Sequence, residues 1–93
     1  MADLFELRWE RPAAVLLAAL EAGGDLDSVL RRVAERGEGW VRDSATVLLL
    51  NSSVREDVLD GLRRGLRPSG RLVEEAREAV RAALGGVEPG GNR

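Results

Sequence analysis

Apolar residues recur at three- and four-residue intervals along nearly the whole chain, and glycine or proline interrupts the pattern at intervals. That spacing matches the 3.6-residue turn of an α-helix rather than the two-residue repeat of a strand. The segment PAAVLLAALEAGG begins at Pro12, which suits a first helical position because its missing N–H would lack a partner there, and stops at Gly23-Gly24. DLDSVLRRVAERG aligns Leu26, Val29, Leu30 and Val33 on one stripe, with Asp25 as N-cap and Gly37 as stop. Ser53 and Glu56 have capping-box spacing and open a helix carrying Val54, Val58, Leu59, Leu62 and Leu66 inward. Arg67-Pro68 ends it, since the residue before proline avoids helical geometry. The last helix carries Leu72, Val73, Ala76, Ala79, Val80, Ala83 and Leu84 on one face and closes at Gly85-Gly86. Arg71–Glu75, Glu74–Arg77 and Glu78–Arg81 are spaced to pair along its outer face, at about 0.3 kcal/mol each.

Two segments read less simply. In EGWVRDSATVLLLN the continuous apolar run 46–50 suits a buried strand, yet Trp40, Val41, Ser44, Val47, Leu48 and Asn51 fall on one helical face. The longer pattern predicts a buried helix. In LFELRWE, Phe5, Leu7 and Trp9 alternate as in a strand but have no partner strand, so residues 4–10 are expected as a short helix or an extended arm.

Joined by turns of a few residues, sequential helices must double back, which predicts an all-α, compact antiparallel bundle of five to six short helices. The 93 residues suffice for one core, expected over 1–86, with a flexible glycine-rich tail over 87–93. In size and helix count this layout is similar to death-fold adaptor domains, a likeness of architecture with no residue motif behind it.

Composition narrows the chemistry. There is no cysteine and no histidine, so disulfides, thiol catalysis, thiolate metal sites, and the commonest general base and zinc ligand are all excluded. All fourteen basic residues are arginine, a bias expected of GC-rich coding. No apolar run approaches the roughly 20 residues of a membrane span. The start MADLFELRWERP places acids ahead of its apolar residues, unlike a signal peptide. A soluble bacterial protein of the cytoplasm is the expectation.

The stretch RRGLRPSGR holds Arg63, Arg64, Arg67 and Arg71 and no acid. Residues 1–62 carry seven arginines against twelve acids, a balance of −5, whereas residues 63–93 carry seven against four, a balance of +3. Charge segregated in this way orients partners. A helix, a tight turn containing PSG and a second helix also outline a helix-turn-helix, with 71–84 as recognition helix. Against DNA binding, Glu74, Glu75 and Glu78 lie in the first two turns of that helix, where carboxylates repel phosphate. A purely structural role also competes: Arg63, Arg64 and Arg67 stand at a helix C-terminus, where cations complement the macrodipole.

DLDSVL resembles the Asp-Ser-Leu motif of acyl carrier proteins, which implies phosphopantetheine on Ser28. Val29 stands in place of the leucine, and Arg31, Arg32 and Arg36 occupy positions where carriers show acids. Capping by Asp25 with Ser28 explains the same residues. The acid groups Asp25/Asp27, Glu56/Asp57/Asp60 and Glu74/Glu75/Glu78 each fall near a predicted helix start, where negative charge is favoured. Trp40 opens a helix and is expected in the core; Trp9, near the chain's start, is the better interface anchor.

The residues therefore predict a non-enzymatic protein-interaction domain, an adaptor or a self-assembling small subunit. No catalytic residue, cofactor, metal or small-molecule substrate is expected. Arg63, Arg64, Arg67 and Arg71 would dock on an acidic protein face, of another protein or of a second copy, with Trp9 supplying apolar contact. The alternative is a helix-turn-helix DNA binder, and less favoured still is a carrier.

Overall fold

A computed structural model describes residues 9–85, in which five α-helices follow one another: α1 Glu10–Ala22, α2 Leu26–Arg36, α3 Gly39–Leu50, α4 Ser52–Arg63 and α5 Gly70–Gly85. The described residues contain no strand, so the run 46–50 is helical and the strand alternative is set aside. Of the ambiguous residues 4–10, only Trp9 and Glu10 are described, and Glu10 is the first residue of α1. The expectation for the rest of that segment, and for the tail 87–93, lies outside the described residues.

Helix α1 is the centre of the bundle. Five consecutive residues, Pro12 to Leu16, are buried, so the helix is enclosed on nearly every side, and it touches all four others. It starts two residues earlier than expected. Pro12 is therefore the third helical residue, but its missing N–H still falls among the four that no intrahelical carbonyl reaches. The stripe Val29, Leu30, Val33 of α2 is buried, as its spacing predicts. Asp25 is its cap, accepting from the Ser28 amide. Gly37 ends α2 with extended rather than left-handed backbone; a Cβ there would stand 2.6 Å from the Val33 carbonyl oxygen, so glycine is required by close approach.

Helix α3 buries Val41, Ser44, Ala45 and Leu48. The expected face is thus rotated: Ala45 turns inward, while Val47 is 40% exposed, Trp40 half-buried and Asn51 exposed. Asn51 separates α3 from α4 and serves both. Its amide donates to the Val47 carbonyl at 2.8 Å, and its side chain accepts from the Val54 amide at 3.2 Å. The expected capping box therefore does not form. The helix begins two residues earlier, Ser53 is its second residue, and Asn51 takes the cap.

The end of α4 is also earlier than Arg67-Pro68. Gly65, at φ 96°, donates to the Leu62 carbonyl, and the Leu66 amide donates to the Gly61 carbonyl. This pair of bonds is a Schellman closure, and it needs a residue that tolerates left-handed backbone at position 65. Pro68 is buried, and Ser69 opens α5 by accepting from the Leu72 amide with its hydroxyl and the Val73 amide with its carbonyl. Helix α5 buries Val73, Ala76, Val80 and Ala83, the predicted face.

Helices α1 and α5 run parallel. Glu10, the first residue of α1, accepts from the Ser69 amide at the start of α5, while Ala18 and Ala22 share a groove with Val80 and Leu84 further along.

Candidate functional site: the arginine corner and the opposite end

The four arginines of 63–71 do not form one patch of free cations. Arg67 lies along the end of α4, its Nη1 donating to the carbonyls of Leu62 at 2.9 Å and Leu66 at 2.8 Å. It adds a second donor to the Leu62 carbonyl, which also accepts from the Gly65 amide, and ties down the Leu66 carbonyl in the turn that follows α4. Arg64 reaches back to Asp60, Nε to Oδ2 at 3.3 Å, with its side chain 61% exposed. Arg63, the last residue of α4, and Arg71, in the first turn of α5, are exposed and pair with no carboxylate among the described residues. Arg71 and Arg11, with Glu10, Ser69 and Leu72, line a shallow groove of about 460 Å³ at this corner.

The start of α5 is already supplied with an anion. Glu10 Oε2 accepts from the Ser69 amide at 2.7 Å, across 59 residues of sequence, where the helix presents its positive end. Glu74 and Glu75 are exposed on the following turn, and Glu75 accepts from Trp40 Nε1 at 3.2 Å. The Arg11 guanidinium lies 5.8 Å from the centre of the Trp40 ring, so this indole ties the starts of α1, α3 and α5 together. Trp9 is half-buried against the core.

At the opposite end of α4, about 18 Å away for twelve residues at 1.5 Å each, stands Leu50. It is 81% exposed, and Val47, one turn earlier on α3, is 40% exposed. Periodicity placed Val47 inward and left Leu50 unremarked. Leu50 is two residues, or roughly 200° of rotation, from Leu48, so once Leu48 is buried Leu50 must point away. Exposed acids flank this end. Glu56 and Asp57 stand one turn into α4, and Asp27 of α2 is paired with Arg55.

The remaining candidates resolve into local structure. The Ser28 hydroxyl donates to Asp25 Oδ2 at 2.8 Å and its amide to the same oxygen at 3.0 Å. These two bonds, the hydroxyl first, hold the Asp25 carboxyl below the usual aspartate range. On α5 the Glu74–Arg77 and Glu78–Arg81 pairs form. Arg71–Glu75 does not, because Glu75 faces Trp40. Arg77 also donates to both carboxylate oxygens of Glu21 on α1, at 3.0 and 3.3 Å, and this contact holds its guanidinium above the usual arginine range. The Glu21–Arg77 pair borders a second groove, about 490 Å³, lined by Ala18, Ala22, Val80 and Leu84. Among the described residues no cluster of acids is placed to hold a metal ion, and no helix is long and apolar enough to cross a membrane. The chain matches no protein-family model, no curated protein and no solved structure.

Proposed function

We propose that this chain is a non-catalytic protein-interaction domain, an adaptor or a self-assembling small subunit, that docks through the two ends of its bundle. One observation carries the reading: a large aliphatic, Leu50, stands 81% exposed beside the 40% exposed Val47 on a helix whose other aliphatics are buried or half-buried. Burying such a side chain against a partner is worth about 1.5–3 kcal/mol, which leaves an apolar anchor available at a charged surface. At the other end, Arg63 and Arg71 are exposed and pair with no carboxylate among the described residues, while Arg64 is shared with Asp60. Arg67 is engaged by the Leu62 and Leu66 carbonyls and contributes to the corner's shape rather than to its grip.

A DNA contact is the second reading, because α4, the PSG turn and α5 keep the helix-turn-helix outline. The anions around the start of α5 weigh against it. Glu10 sits on the Ser69 amide, and Glu74 and Glu75 follow within two turns, where a recognition helix must approach phosphate. The carrier reading is weaker still, since the Ser28 hydroxyl is engaged by Asp25.

Photo-crosslinking in the cell tests the proposal. With a benzophenone side chain at position 50 and, separately, at position 63, irradiation is expected to give covalent protein adducts from both. Adducts to nucleic acid from position 63, together with salt-sensitive retention of the purified protein on duplex DNA that Arg71→Ala abolishes, would establish the DNA reading instead.

A further inference from the structure

Resting on that reading, we propose that the partner is a second copy of this chain, docked head to tail. The Leu50 end of one molecule meets the arginine corner of the next. Three features support it. The ends carry exposed charges of opposite sign: Glu56 and Asp57 stand one turn into α4, the helix that follows Leu50, while Arg63 and Arg71 stand at the corner, whose own carboxylates Glu10, Glu74 and Glu75 are engaged by Ser69, Arg77 and Trp40. The ends are complementary in shape, because Leu50 projects from the end of α3 whereas the corner offers a groove of about 460 Å³ between the first turns of α1 and α5. They are also complementary in polarity. Leu72 and the aliphatic stems of Arg11 and Arg71 border that groove, and such stems cover apolar surface while their guanidinium heads stay hydrated.

The macrodipole accounts for Arg63 at the end of α4. It does not account for an exposed leucine at the junction that opens that helix. Ion pairs between Glu56 or Asp57 and the arginines set the register, since the guanidinium fork meets a carboxylate with two parallel bonds. Leu50 supplies the desolvated centre of the contact. Because the two surfaces lie on different ends of one molecule, the contact is heterologous. It propagates into open chains, or closes into a ring if the rotation between copies permits, but it does not stop at a dimer.

Sedimentation velocity on the full chain tests this with two variants, each defective at one end. Leu50→Lys removes the anchor and opposes the corner's charge; Arg63→Glu with Arg71→Glu reverses the corner. All these side chains are exposed, and circular dichroism checks that each variant keeps the wild-type fold. The wild type is expected to form species larger than a dimer as concentration rises. Each variant alone should stay monomeric, with self-association weakened at least about tenfold. An equimolar mixture of the two should give a dimer and nothing larger, because only one intact head and one intact tail remain. A wild type that is monomeric up to millimolar concentration, one that stops at a dimer, or a mixture that fails to pair overturns head-to-tail assembly. Protein adducts from position 50 to a different chain would then leave the interaction reading standing with an outside partner.

Discussion

Leucines 48 and 50 are two residues apart on α3, yet their replacement by alanine should differ by several kcal/mol. Leu48 is fully buried, and α3 is packed by α1, α2 and α4, so a void left there is closed only if several helices shift. Removing a buried leucine in this way costs about 2–5 kcal/mol, combining lost transfer free energy with the residual cavity. A domain of this size has roughly 5–15 kcal/mol in total, so the variant loses a large share of its stability. At about 3 kcal/mol the melting temperature should fall by about 12–24 °C, taking 4–8 °C per kcal/mol for a small domain. Leu50→Ala, at 81% exposure, should stay within about 0.5 kcal/mol of wild type. Urea titration followed by circular dichroism measures both, at a protein concentration low enough to keep the wild type monomeric. The slope of free energy against urea should be unchanged, so the midpoint alone carries the difference. A Leu48→Ala cost below about 0.5 kcal/mol, or a Leu50→Ala cost above about 1.5 kcal/mol, would mean that α3 presents a different face to the core.

Three further outcomes are expected. Asn51→Ala should destabilise the domain by about 1 kcal/mol while Ser53→Ala stays within about 0.5 kcal/mol, since Asn51 is the cap of α4; chemical denaturation of both variants separates them. Arg67→Ala should cost about 1 kcal/mol because the Leu66 carbonyl loses its side-chain donor and the Leu62 carbonyl keeps only the Gly65 amide, whereas Arg63→Ala should be close to neutral in the same assay. The folded-state pKa of Asp25 is depressed by Ser28, so its contribution is complete above the unfolded aspartate value of about 3.9 and is lost as pH falls through the folded value. Asp25→Asn, which keeps a capping oxygen without titrating, should therefore reduce the drop in urea midpoint between pH 6 and pH 3.

Local sequence determined the helices and most of their inward faces. The stripes of α2 and α5 are legible because Leu, Val and Ala at three- and four-residue spacing leave one low-energy way to bury an amphipathic helix. The Asp25 cap and the stops at Gly23 and Gly37 are legible for the same reason, since each involves groups only a few residues apart. Where the local code is degenerate, tertiary packing made the choice. In α3, Val41, Ser44 and Leu48 belong to both possible stripes; contact with three neighbouring helices selected Ala45 as the fourth member and turned Val47 outward. Asn51 and Ser53 are both competent caps, and the start of α4 decided between them. The arginine corner is the same case at larger scale. Four arginines in nine residues are visible in the sequence, but which are grips and which are fastenings depends on where their partners end up. Gly65 closes α4 early enough for Arg67 to fold back onto its carbonyls, leaving Arg63 and Arg71 outward. The Glu10–Ser69 and Glu21–Arg77 contacts span 59 and 56 residues, and they exist because α1 and α5 lie parallel and adjacent. Helical periodicity is a property of the nearest few residues, whereas the partner of an exposed charge is set by which helices the core brings side by side.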